Sequence, residues 1–281
     1  MQTTFKLFFS CLICFTLSLA SGYGQAPIAE QNRKAGERMV LKIQDIEYAF
    51  RWCPPGTFMM GPTSEERRRH FNETGKYLVE TQYRVTLSRG FWILETEVTQ
   101  EMWEKVMGDN PSKFKGAKLP VETVSWNRSQ NYIKKLNDLG VAPAGFKFSL
   151  PTEAQWEYAC RAGTTTTYHF GNDAIKLGDY AWYRKNCDNK TEEVGQKKAN
   201  AWGLYDIYGN VDEWCADWFT NFYPSDAVTD PTGPPDGANR VVRGGSWRRG
   251  FDDSSRSWAR HVNGPSSSID SLGLRLALVS Q

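Results

Sequence analysis

The chain has 281 residues, with 34 Lys and Arg against 32 Asp and Glu for a formal net charge of +2. Hydrophobic residues make up 40% and charged residues 23%, enough for an ordinary globular core, which excludes disorder as the main state. The near-neutral balance gives no field for capturing nucleic acid or an anionic membrane, and three His leave little for an all-histidine metal site. A count of 11 Trp and 24 Gly suggests a loop-rich fold whose irregular backbone packs on large aromatic anchors.

A single Lys6 precedes an apolar run from Leu7 to Ala20, too short to span a bilayer. Small residues follow, with Gly24-Gln25-Ala26 as a cleavage site. This pattern predicts a signal peptide over residues 1–26, export to the periplasm or the extracellular space, and no transmembrane segment in the mature chain. Residues 27–47 are polar and read as a linker, and 48–281 read as one domain. Phe50-Arg51-Trp52-Cys53, a Pro54-Pro55-Gly56 turn and Thr57-Phe58-Met59-Met60 predict strand, turn and strand. The charged segment 64–76 reads as a solvated loop. Tyr83–Leu87 alternates as a strand, and Phe91–Leu94 extends the sheet. Helices are predicted after Thr99, Ser125 and Thr152, stopped by Gly108, Gly140 and Gly163, with Gln155 completing a capping box on Thr152. Beyond Gly163 the pattern is mostly turns, broken by short strands such as Val241-Val242-Arg243.

Cleavage would leave Cys53, Cys160, Cys187 and Cys215. Four cysteines in an exported chain permit structural disulfides, with three possible pairings, and this is the favoured expectation. The alternative is a displaced reactive thiol. Trp182, Trp202, Trp214, Trp218 and Trp247 read as core anchors for loops. Asp206, Gly209, Val211 and Glu213 fall within eight residues on a Gly-Asn turn. Carboxylates mixed with backbone carbonyls are what a hard cation such as calcium takes, the alternative being a plain turn whose acids face water.

Several motifs occur in order: Pro55-Gly56-Thr57-Phe58-Met59-Met60-Gly61, Glu97-Val98-Thr99, Pro120-Val121-Glu122-Thr123-Val124-Ser125-Trp126, Leu150-Pro151-Thr152-Glu153-Ala154-Gln155-Trp156-Glu157, the stretch from Asn200 to Trp218, and Arg243-Gly244-Gly245-Ser246-Trp247. With them the chain resembles the formylglycine-generating enzyme (sulfatase-modifying factor) family from about residue 48 to 279. The resemblance implies an α+β fold distantly like C-type lectins, rich in irregular structure. It also implies a structural calcium site on Asp206, Gly209, Val211 and Glu213, with Gly209 and Val211 giving carbonyls.

The family's enzymes oxidise a sulfatase cysteine to formylglycine with two copper-binding cysteines. The first follows the Gly-Gly-Ser-aromatic motif and the second lies five residues later. Here the first position holds Arg249 and the second falls near Ser254, and no cysteine follows Cys215. Soft Cu(I) needs thiolates, so copper is not expected. Ser246 is kept, while the aromatic residue expected between Val211 and Glu213 is Asp212.

Ser246 with Arg248, Arg249, Arg256 and Arg260 marks a candidate groove for an anionic ligand, because Arg forks suit carboxylate, sulfate or phosphate. Internal ion pairs in a solvated loop are the equal alternative. The function expected is therefore a pseudoenzyme: an exported, calcium-stabilised binding or scaffolding module of the cell envelope, with a protein or anionic-ligand partner. The alternative is an enzyme of protein or peptide maturation, sulfatase-modifying or a divergent oxidoreductase, with a non-standard active site.

Overall fold

The computed structural model describes residues 32–250 and 255–281. The signal-peptide expectation and the Ser254 position lie outside the described residues. The first three strands are β1 (Arg38–Ile43), β2 (Ile46–Cys53) and β3 (Gly56–Met60), followed by helix α1 (Ser64–Thr74). Next come β4 (Tyr83–Leu87), β5 (Phe91–Leu94), α2 (Gln100–Met107), α3 (Trp126–Asp138), β6 (Phe146–Ser149) and α4 (Glu153–Arg161). A short 3-10 helix spans Ala174–Asp179. The C-terminal part holds β7 (Asp212–Trp218), β8 (Val228–Thr229), β9 (Arg240–Arg243), β10 (His261–Asn263), β11 (Leu272–Leu274) and β12 (Ala277–Ser280).

Three sheets organise the domain. A five-stranded sheet has the order β1-β2-β5-β12-β6, a four-stranded sheet β10-β9-β7-β11 and a three-stranded sheet β3-β4-β8. Strand β12 sits between β5 and β6, so the last strand closes the sheet that the first strands open. Short mixed sheets, few helices and long connections match the α+β expectation.

The predicted helix caps are in place. Thr99, Ser125 and Thr152 each accept a backbone N–H three residues on, and Thr152 forms a reciprocal box with Gln155. Two segments depart from expectation. Residues 38–43, read as linker, pair with β2 as β1 and bury Ile43. The charged segment read as loop is α1. It has no apolar stripe, but Thr63 and Glu66 form a capping box and Gly75, at φ +71°, ends it.

Indole donors anchor irregular chain to the core, as the Trp count suggested. Trp214 Nε1 donates to Val124 O at 2.9 Å, Trp126 Nε1 to Cys215 O at 3.0 Å, and Trp247 Nε1 to Asp270 O at 2.9 Å. Trp202, Trp214 and Trp247 are buried, while Trp182 and Trp218 are half-buried.

The four cysteines are all buried and all unpaired, which corrects the disulfide expectation. Burial pushes each thiol up, Cys160 to about 11, so none is a ready thiolate. The loops are held instead by side-chain networks. Glu157, with no exposed surface, accepts from Arg161 (2.8 Å), Arg243 (2.5 Å) and the Gly61 N–H (2.9 Å), joining α4, β9 and the end of β3.

The start of α4 is fixed by Asp217, whose Oδ2 accepts the Glu153 N–H at 2.9 Å. Burial, with the Glu153 charge beside it, pushes the Asp217 carboxyl up to about 7. An unfolded Asp titrates near 3.9, so the native state holds this proton more tightly. The resulting stabilisation is complete below about pH 4 and is lost as pH rises through about 7. The melting temperature of the wild type is expected to fall between about pH 5 and 7 relative to Asp217→Asn. Parallel profiles for the two proteins would contradict this.

Candidate functional site

The family motif forms the turn entering β7. Asp206 and Asn210 both adopt the left-handed backbone conformation, at φ 58° and 60°. Between them, Gly209 has no room for a side chain, because a Cβ there would sit 2.2 Å from Trp182 O. Asn210 clamps three loops at once. Its N–H donates to Trp182 O at 2.7 Å, its amide exchanges two 3.0 Å bonds with the Glu192 backbone, and its carbonyl accepts from Trp247 N at 2.9 Å.

The acids of this turn are buried and do not face water: Asp206 is 1% exposed and Glu213 1%. Glu213 is fully engaged. Arg275 donates to both of its oxygens at 2.7–3.0 Å, and Trp156 Nε1 donates to Oε2 at 2.7 Å. Asp206 Oδ2 accepts from Gly195 N at 2.6 Å, while Oδ1 is buried without a hydrogen bond. Glu97, 0% exposed, has both carboxylate oxygens buried without a partner. Burial and the neighbouring Asp206 charge push Glu97 well up against the pull of Arg275, and burial pushes Asp206 to about 6.

One guanidinium thus serves three buried carboxylates, and the open oxygens belong to Glu97 and Asp206. Such oxygens suit a hard cation. Of the expected ligand set, Asp206 presents a free oxygen, Gly209 and Val211 can give only backbone carbonyls, and Glu213 is committed to Arg275. Among the described residues no three acidic, His or Cys side chains are grouped as a metal site by themselves, so a cation here would depend on carbonyls. Glu97 is absent from the expected set. Its Glu97-Val98-Thr99 motif was legible, but only the fold brings it beside Asp206.

At the position expected for the family's first cysteine, Arg249 forms a forked ion pair with Asp212. Nε reaches Oδ1 at 3.0 Å and Nη2 reaches Oδ2 at 3.2 Å. The Asp212 side chain is 3% exposed and that of Arg249 28%. The two residues expected to depart from the family pattern, Arg249 and Asp212, are therefore partners in one contact. The Arg249 N–H donates to Ser246 O at 2.9 Å, which fixes the turn that carries it. Ser246 itself is fully buried, and its hydroxyl oxygen has no hydrogen-bond partner.

The remaining candidates for an anion groove do not form one. Arg248 pairs with Asp270, which also takes Lys113 at 2.8 Å. Arg256 pairs with Glu73 at 3.0 Å, and Arg260 grips both oxygens of Glu153 at 2.6 and 2.9 Å. With Arg249 on Asp212, each predicted fork is filled by a carboxylate of the chain itself. Internal ion pairing replaces the expected open anionic-ligand surface, because acids far away in sequence fold onto these arginines.

Comparison with known proteins identifies the family. The sulfatase-modifying factor enzyme 1-like domain matches residues 45–279. The chaperone protein LppX of Paenibacillus barcinonensis is 34% identical over 209 residues, covering 58% of this chain and 71% of that protein. The formylglycine-generating enzyme of Mus musculus is 34% identical over 189 residues, 62% of this chain, and the aligned part spans 48% of the enzyme's own length. Among solved structures, Treponema denticola variable protein 1 superposes with a TM-score of 0.76 at 31% identity, covering 85% of this chain and 98% of that one. On its ordered motifs, its fold and these matches, the chain belongs to the sulfatase-modifying factor enzyme 1-like family.

Proposed function

We propose that this chain is a non-catalytic member of its family: an exported, calcium-stabilised binding or scaffolding module of the cell envelope. The observation that carries the reading is the Arg249–Asp212 ion pair at the first cysteine position. A guanidinium cannot bind Cu(I) and cannot form a mixed disulfide with a substrate cysteine. The four remaining thiols are buried and raised in pKa. A relative named as a chaperone protein, LppX, supports a role in binding. Calcium would be held by Asp206 and the Gly209 and Val211 carbonyls with Glu97 alongside, cross-linking the turn to the segment before α2.

The purified protein is expected to produce no aldehyde on a sulfatase-type Cys-x-Pro-x-Arg peptide, with or without added copper. Aldehyde above a no-protein control would overturn the reading. A second reading, an enzyme of protein or peptide maturation with a non-standard centre, rests on Ser246. It keeps its family position with a buried, unpartnered hydroxyl beside the turn of Arg249. Copper or iron co-purifying in stoichiometric amount would favour that reading, and calcium alone would favour the first.

A further inference from the structure

At the opposite end of β7 from Asp212, the segment after Trp218 folds over the start of α4. It forms one wall of a half-open cavity of about 610 Å³, a size that takes a small organic ligand. Trp218, Phe222 and Tyr223 supply aromatic lining, and Glu153, Asp217, Asp230 and Arg260 are the charged groups that reach it. Phe222 is 67% exposed, an aromatic ring left open to solvent where a ligand would enter. Asp217 is 4% exposed and spends one oxygen on the Glu153 N–H.

The charge balance decides the ligand. Arg260 is consumed by Glu153, by the Thr220 carbonyl at 3.0 Å and by Glu80 at 3.5 Å. A further cation, Arg240, is stacked on Trp218 at 3.4 Å and on Trp126 at 3.7 Å. Even with Arg240 counted, three carboxylates of the lining face two guanidiniums. Arg243 also pairs with Glu153 at 3.4 Å, but it brings a carboxylate of its own, Glu157, and so leaves the balance unchanged. The cavity therefore has acid in excess within an aromatic wall, the combination that holds an ammonium group on an apolar stem.

We propose that this cavity binds a small organic cation, an ammonium group carried on an apolar stem, with Asp217 as its counter-charge and Phe222 as the ring that packs on the stem. The assignment stands apart from the non-catalytic reading above, since neither the aldehyde assay nor the calcium response bears on it. A free amine and the side chain of a peptidyl lysine share this chemistry.

The test is calorimetric titration of the purified protein at about pH 8 with phenethylamine, its neutral analogue 2-phenylethanol, the anion 3-phenylpropionate, and a capped lysine dipeptide with its Nζ-acetylated form. At least one cationic probe is expected to bind saturably, with Kd below roughly 1 mM and roughly tenfold more tightly than its uncharged counterpart. Binding of the amine assigns a free ligand, and binding of the lysine peptide alone assigns a peptide end. Phe222→Ala is expected to weaken that binding about fivefold or more without changing the melting temperature, because the ring is exposed. Asp217→Asn keeps the acceptor to Glu153 and is expected to abolish the preference for charge. Equal affinity for cationic, neutral and anionic probes, no saturation by any cation, or cationic binding unchanged in Phe222→Ala would each overturn the assignment. Should Asp217→Asn fail to fold, the probe series and Phe222→Ala still decide it.

Discussion

Arg275→Met is expected to cost about 3–5 kcal/mol of stability, read as the shift of the urea unfolding midpoint at unchanged slope. The Arg275 side chain is fully buried, and it donates to both Glu213 oxygens and to the carbonyls of Leu94, Glu95 and Tyr205. Met matches its bulk, so packing is largely kept. What remains is a desolvated Glu213 beside Glu97 and Asp206, with the one shared cation removed. The expense of breaking a buried pair lies mainly in the orphaned charge. The double variant Arg275→Met/Glu213→Gln is therefore expected to recover about half of the loss, the rest belonging to the three unpaired carbonyls. A loss under about 1 kcal/mol, or a double variant no better than the single one, would show that this network does not hold the sheets together.

Calcium is expected to raise the melting temperature and chelation to lower it. At a free concentration about a hundredfold over Kd, a ligand that binds only the native state adds about 2.7 kcal/mol. In a chain of this size that is about 5–10 °C. The diagnostic variant is Glu97→Gln. Its carboxylate is buried with neither oxygen hydrogen-bonded, so without calcium it is a burden on the fold. Glu97→Gln should thus be more stable than the wild type in chelator and gain less from calcium. Identical melting curves with calcium and with chelator would remove the site, and an unchanged calcium response in Glu97→Gln would remove Glu97 from it.

Local signals in the sequence carried much of the fold. Caps at Thr99, Ser125 and Thr152 depend on neighbours three residues away, and the strands around Tyr83 and Phe91 on alternation, so both were readable. Helix α1 was missed because its signal lay in the Thr63–Glu66 box and not in an apolar face. Strand β1 was missed because its exposed positions alternate with only partly buried ones. The site divides in the same way. The turn from Asp206 to Glu213 was legible as a motif. The partners that decide its chemistry were not, because Glu97 lies far before the turn and Arg275 well after it, and they meet only in the fold. The arginine-rich stretch looked like an open cationic surface for that reason: Glu73, Glu153, Asp212 and Asp270, which neutralise it, are distant in sequence from several of their partners.

The Arg249–Asp212 pair also bears on whether copper chemistry could be built at this position. Changing Arg249 to Cys would leave a nearly inaccessible carboxylate without its cation. That carboxylate would disfavour the thiolate on which copper binding depends. Changing Asp212 to an aromatic residue first would instead strand the guanidinium. Either single step is expected to lower stability, and the second cysteine would remain to be supplied. Each partner thus holds the other in place, and no single substitution at this pair opens a path to copper chemistry.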